Sequence, residues 1–273
     1  MITAGRFANL AAILPNLGCM TGGARIQLCG RLVVRLDGRR VEHALPGANG
    51  RLLLAYFVLN RLRQMDRDEL LTAVWGEDAP RDHQPRLSVL LSKLRRALGP
   101  DLLSGRSELE LVLPRDAFVD VEAVFEALHR ARAHVANREW AEAWGPSGVA
   151  YHVASRPLLH GYDRPWLDEW RRRLDEVCLS GLECFAAARL GLGGPSLPQA
   201  EECGRRLIEL APYRETGYRI LMEALEQRGN TAEALLVFDR LRVLLHDDLG
   251  IAPSPAVQSV HRRLLGPAST TRG

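Results

Sequence analysis

The chain has 273 residues, 47% apolar and 25% charged, values that exclude a disordered or fibrous protein and leave room for one large domain or two ordinary ones. Its net charge of +3 is too small to point to an acidic partner by itself, so the position of the charge matters more than its sum. Lys93 is the only lysine among the 36 basic residues, and the arginines are scattered, as a GC-rich genome rather than an RNA-binding stretch would distribute them. The cysteines at 19, 29, 178, 184 and 203 are odd in number and form no CxxC, so neither a disulfide frame nor a zinc site is expected. No apolar run approaches the ~18 residues of a spanning helix. A cytoplasmic chain with no membrane partner is the expectation.

Met1–Cys19 carries Arg6, a moderately apolar stretch and a Leu17-Gly18-Cys19 ending, but Asn9, Pro15 and Asn16 interrupt it and no A-x-A site follows. Residues 1–24 are expected to be a poorly ordered leader, not an export signal. From Arg25 to about Val41, Ile26, Leu28, Leu32, Val34 and Leu36 alternate with polar residues, and Asp37-Gly38 signals a hairpin. After Pro46-Gly47 the period turns helical through Leu52, Leu53, Tyr56 and Leu59. A second helix is expected after Met65, with Asp66 as N-cap and Glu69 as its capping-box partner, ending at Gly76. The polar turn Glu77–Pro80 follows.

The third helix carries the most information. Asp82 is placed to cap it, and Pro85 is tolerated in its first turn. Leu87, Leu90, Leu91, Leu94 and Leu98 form a buried stripe at helical spacing. The other side presents Arg86, Ser88, Val89, Ser92, Lys93, Arg95 and Arg96. Gly99-Pro100 stops the helix, and a second hairpin follows around a Ser104–Ser107 turn with Leu109, Leu111 and Leu113 alternating. A basic helix face is usually only a solvated one. Here it follows a helix and a short turn, precedes a hairpin, and lies in the segment 81–106, which holds a net +4. That order predicts a winged helix-turn-helix.

Pro114 closes this unit. The remainder reads as helices over about 120–136, 138–156, 164–191, 197–211, 214–228, 231–248 and 255–265. Gly145-Pro146-Ser147-Gly148 should kink or break the second of these. Ala200 and Ala234 are 34 residues apart, as are Leu207 and Leu241, the period of tetratricopeptide units. The expected fold is therefore mainly α: a winged helix-turn-helix (α+β) over 25–115, an all-α tetratricopeptide-like domain over 116–266, and a tail over 267–273.

Enzyme motifs are missing: there is no GxxxxGK[ST], HExxH or GxSxG, and Gly191-Leu192-Gly193-Gly194 has no preceding strand to make it a phosphate cradle. His246-Asp247-Asp248 reads as a solvated helix end, not a metal site. Trp166 and Trp170, at i and i+4, read as a helix–helix core pair. The protein is expected to be no enzyme and to need no cofactor.

Asp66-Arg67-Asp68-Glu69-Leu70-Leu71, Val74-Trp75-Gly76 and Ser92-Lys93-Leu94-Arg95-Arg96-Ala97-Leu98-Gly99 closely resemble the OmpR-type winged helix. With Trp166-Leu167-Asp168-Glu169-Trp170-Arg171, Glu233-Ala234-Leu235 and the run Asp248-Leu249-Gly250-Ile251-Ala252-Pro253-Ser254-Pro255, the chain is similar to the SARP-like activators, which carry a bacterial transcriptional activator domain. The resemblance spans about residues 25–266. It implies sequence-specific binding to double-stranded DNA at promoter direct repeats, and recruitment of RNA polymerase through its sigma or core subunits. In that family the third helix reads DNA. Ser88, Val89, Ser92, Lys93 and Arg96 would then face bases or flanking phosphates, with Arg86 and Arg95 beside them. Arg67 and Trp75 would sit against the backbone, and Arg106 would come from the wing. Lys93 replaces the usual arginine and loses its planar fork. Ser107-Glu108 and Glu110 stand where the family has a Gly-Tyr pair, an acidic departure. The helical domain would mediate a homodimer or partner contacts. The rival reading is a protein-interaction adaptor whose winged helix no longer binds DNA.

Overall fold

The computed structural model describes residues 23–76 and 82–266. The Glu77–Pro80 turn, the tail and all of the expected leader except Gly23 and Ala24 lie outside the described residues. The chain divides into two compact units, one of residues up to 124 together with 153–175, the other of residues 125–152 and from 176 onward.

In the first unit the alternating N-terminal segment pairs as anticipated. Strands β1 (Arg25–Gln27), β2 (Val33–Leu36) and β3 (Arg39–Arg40) form an antiparallel meander, with Ile26 opposite Val34. Leu36 faces Arg39 across a two-residue turn in which Asp37 and Gly38 both have positive φ, 48° and 78°, the backbone that suits the twist of a hairpin. Strand β7 (Phe118–Val119) adds in parallel on the far side of β1. The residue after it, Asp120, is buried and accepts hydrogen bonds from the backbone N–H groups of Leu28, Cys29 and Val121 at 2.8–3.0 Å. Burial pushes this carboxyl up, and the three N–H groups oppose the shift. Residues 157–159 pair with the chain beyond β1: Gly30 donates to the Pro157 carbonyl at 2.9 Å, and Cys29 bridges Leu158. The compact unit thus continues past residue 115.

Helix α1 (Gly47–Leu59) buries most of its circumference, including Leu52, Leu53, Leu54, Phe57 and Val58. Helix α2 (Arg67–Trp75) follows the two-residue strand β4 (Met65–Asp66), and helix α3 (His83–Leu98) comes next. Strands β5 (Leu103–Gly105) and β6 (Glu108–Leu111) join β4 in a three-stranded wing of order β4-β6-β5. Leu103, Leu109 and Leu111 face the core.

Helix α4 (Asp120–Ala136) begins in the first unit. In the second, helix α5 (Trp140–Ala154) runs without interruption through Pro146, contrary to the expected break. Proline withholds one backbone donor, and the buried Ser147 hydroxyl meets the Ala143 and Trp144 carbonyls at 2.6 and 3.1 Å. A single lost bond costs less than opening a helix whose Ala143, Ser147 and Ala150 are buried.

Helix α6 (Pro165–Leu192) passes from the first unit into the second. Helices α7 (Leu197–Leu210), α8 (Glu215–Gln227), α9 (Thr231–Leu249) and α10 (Pro255–Leu264) follow as antiparallel hairpins. The 34-residue repeat occupies equivalent buried positions: Ala200 and Ala234 on α7 and α9 are fully covered, as are Leu207 and Leu241. Glycines set how closely α7 and α8 approach. A Cβ on Gly217 would come within 2.8 Å of Leu207 Cβ, and one on Gly204 within 3.0 Å of Leu221 Cβ. The Asp248–Pro255 run is a helix stop and restart. Gly250 ends α9, the Ser254 N–H donates to Glu215 Oε2 at 2.7 Å, and Pro255 opens α10, where its missing N–H removes no bond.

Candidate nucleic-acid interface

The anticipated N-cap of α2 is present: Asp66 Oδ1 accepts from the Glu69 N–H at 2.7 Å. The return half of the capping box differs. The Glu69 carboxylate is bound by the Tyr56 hydroxyl at 2.6 Å and by Arg63, because a guanidinium offers it more than a neutral amide does. Asp82 occupies the N-cap position of α3 without a side-chain cap bond, and forms an ion pair with Arg86 at 2.8 Å instead.

The leucine stripe orients α3. Leu87, Leu90, Leu91, Leu94 and Leu98 are all buried, each stabilising the docked helix by roughly 1.5–3 kcal/mol relative to an exposed side chain. The helix therefore turns Arg86, Ser88, Val89, Ser92, Lys93 and Arg96 outward, all of them exposed. Trp75, at the end of α2 and half-buried, joins Arg86, Val89, Lys93 and Arg96 along an open groove of about 740 Å³, whose other lip is the start of α1 at Gly47–Asn49. Lys93, Arg96 and Arg106 form no ion pair with any described residue. Of the groove-wall cations, Arg86 is paired with Asp82, and Lys93 and Arg96 meet no carboxylate among the described residues.

Several of the expected contact residues have internal partners: Arg86 pairs with Asp82, Ser88 donates to the Gln84 carbonyl, and Arg67 and Arg95 reach other elements. Arg67 reaches from α2 to α3, donating to Gln84 Oε1 at 3.1 Å and Ser88 Oγ at 2.7 Å. Gln84 in turn donates to Asp68 at 3.0 Å. Arg95 binds the wing backbone, donating to the Leu103 and Gly105 carbonyls at 3.2 and 2.7 Å. These two arginines tie α3 to α2 and to the wing. Pairwise spacing along the chain gave no sign of this, because both partners lie on other elements. Gln84 and the Gly47–Asn49 lip were likewise not singled out by sequence.

The wing is tight. Gly105 has φ 89°, and a Cβ there would fall 1.8 Å from the Glu108 carbonyl oxygen, so the turn admits only glycine. Arg106 stands exposed at its tip. Glu110 accepts from Ser104 Oγ across the hairpin at 3.1 Å, which draws one of the two wing carboxylates onto the hairpin. Glu108 is exposed.

The other motifs resolve simply. His246 pairs with Asp247 at 3.0 Å, and Asp248 accepts from the Tyr213 hydroxyl at 2.9 Å. Among the described residues no cluster of three His, Cys, Asp or Glu is poised to hold a metal, and no helix is long and apolar enough to cross a membrane. Trp166 meets Tyr56 edge-on at 5.1 Å, and Arg173 lies 4.1 Å over Trp170.

A sheet, three helices with a basic third, and a three-stranded wing define a winged helix-turn-helix protein, followed along the chain by tetratricopeptide-like helices. The model of the bacterial transcriptional activator domain matches residues 119–265, and that of the C-terminal region of transcriptional regulatory proteins matches 46–113. The chain belongs to the bacterial transcriptional activator domain family, whose members are transcription regulators rather than enzymes. It is 32% identical over 228 residues to the regulatory protein AfsR of Streptomyces griseus, covering 79% of this chain but 22% of AfsR. It is 28% identical over 274 residues to the transcriptional regulatory protein EmbR of Mycobacterium bovis, covering 90% of this chain and 66% of EmbR. The solved structure of Mycobacterium tuberculosis EmbR, in complex with a low affinity phosphopeptide, superposes with a TM-score of 0.77 at 24% identity. That match covers 89% of this chain and 65% of EmbR, and it shows the shared fold.

Proposed function

We propose that the chain is a sequence-specific regulator that binds double-stranded DNA through α3 and activates transcription from promoter direct repeats. The observation that carries this reading is the outward face of α3, where Lys93 and Arg96 stand beside Trp75 on one groove wall without an acidic partner among the described residues. A B-DNA major groove admits a helix of this size, and unpaired cations there exchange condensed counterions for phosphate contacts. In this reading Lys93 and Arg96 donate to guanine edges or flanking phosphates, Val89 offers an apolar contact to a thymine methyl, and Ser88 and Ser92 reach bases or phosphate. Arg86, Trp75 and Arg106 lie along the backbone, while Arg67 and Arg95 hold the helix at its docking angle. The second unit serves a homodimer or the contact with RNA polymerase, through sigma or core subunits. The protein works in the cytoplasm and without a cofactor.

Selection of genomic fragments with the purified chain, followed by footprinting, tests the proposal. Enriched fragments should share two half-sites on one DNA face, about 10–10.5 bp apart, and affinity should fall steeply with salt. Failure to enrich any sequence would overturn it in favour of an adaptor role.

A further inference from the structure

The end of α2 is held by residues that come some ninety positions later. Arg164 donates from Nε and Nη2 to the Val74 carbonyl at 2.9 and 2.7 Å, and the Trp166 indole N–H donates to the Ala73 carbonyl at 2.9 Å. The last carbonyls of a helix have no partner within it, and a guanidinium placed there also meets the negative end of the helix dipole. The last turn of α2 contains no basic residue of its own. The Trp166 ring lies edge-on to Tyr56 of α1 at 5.1 Å, and the Tyr56 hydroxyl donates to Glu69 of α2 at 2.6 Å. Helix α2 is thus fastened at its first turn through Glu69 and at its last turn through Arg164 and Trp166. The next residue after the capped carbonyls is Trp75, which walls the groove with Arg86, Val89, Lys93 and Arg96.

We infer that Arg164 and Trp166 are positioning residues for DNA recognition: by capping the last turn of α2 they set Trp75 against the reading face of α3. The inference rests on the DNA-binding role proposed above. Arg164 and Trp166 act through α2 and make no DNA contact themselves.

The test uses the full chain and a labelled duplex taken from the genomic selection, with binding read by fluorescence anisotropy. Trp166→Phe keeps the ring beside Tyr56 and removes only the N–H donor. It should weaken binding about fivefold, the effect of one lost hydrogen bond, at an unfolding temperature that leaves the protein fully folded in the assay. Arg164→Ala should weaken binding more, and Arg164→Lys, which restores a cationic donor, should recover part of the loss. In a Trp75→Ala background Trp166→Phe should cost nothing further, because its effect passes through Trp75. Unchanged binding by Trp166→Phe, or losses that simply add in the double variant, would overturn the inference. If Arg164→Ala does not fold, Trp166→Phe alone decides. Wild-type protein that selects no DNA would defeat the functional reading instead, so the two failures are distinct.

Discussion

The paired arginines of the second unit contrast with the cations on the outward face of α3 and on the wing that meet no described carboxylate, although nearly all come from the same compositional bias. Between residues 205 and 263, Arg205 faces Glu201 and Glu233, Arg214 faces Glu176, Arg228 faces Glu201, Arg242 faces Asp239 and Arg263 faces Glu226. On α3 and the wing, Lys93, Arg96 and Arg106 face no described carboxylate. Net charge is therefore a poor guide to a binding face. What matters is whether the fold brings an acid to each base, since only an unneutralised cation is available to a phosphate.

The largest effect should come from a charge used in a third way, the buried Asp120, whose partners are three backbone N–H groups. Asp120→Ala leaves those donors unsatisfied and should destabilise the first unit by roughly 3 kcal/mol in urea unfolding. A loss below about 1 kcal/mol would show that water replaces the carboxylate. Next in size, Lys93→Ala or Arg96→Ala should weaken specific DNA binding by about 1–3 kcal/mol with little change in stability. Equal losses from Arg205→Ala would erase the distinction between bare and neutralised arginines. Arg205→Ala itself should leave DNA affinity unchanged and lower stability by less than about 1 kcal/mol, as expected of an exposed ion pair. A mobility-shift titration and a thermal melt read both quantities.

The smallest effect is a pH dependence. The Arg63 guanidinium, helped by the Tyr56 hydroxyl and opposed by burial, holds the Glu69 carboxyl below the ordinary carboxylate range. A depressed folded-state pKa contributes stability that is present above the unfolded value, about 4.3, and is lost as pH falls through the folded one. Urea midpoints of wild type should therefore drop below about pH 4.3 by more than those of Glu69→Gln. Parallel curves for the two proteins would show that Glu69 contributes no such slope.

Much of the fold was legible because its signals are local. The expected helices over 197–211, 214–228 and 255–265 agree with α7, α8 and α10 to within one or two residues, since apolar period and bounding Pro or Gly lie in the same short stretch. The leucine stripe of α3 was equally plain, and it dictates which side faces outward. Less visible was everything that depends on a distant partner. Glu69 was assigned to a capping box and is held by Tyr56 of α1 and by Arg63, and Trp166 was assigned to a core pair with Trp170 and caps α2; Asp82, assigned to a cap, pairs with Arg86 one turn along the same helix. Each of these side chains had an adequate local use, and each has a stronger donor or acceptor available elsewhere.

By itself the sequence determined the kinds of elements, their order and the side of α3 that carries its charge, because periodicity and caps act within a few residues. Tertiary structure alone decided which charges stay bare. Arg95 lies between Lys93 and Arg96 on α3, and Arg67 opens the helix before it, yet the wing carbonyls engage the first and Ser88 and Gln84 the second. It likewise decided that α2 is capped from residues 164 and 166. A hydrogen bond needs its partner within about 3 Å, and only the folded chain sets such distances between residues far apart in sequence.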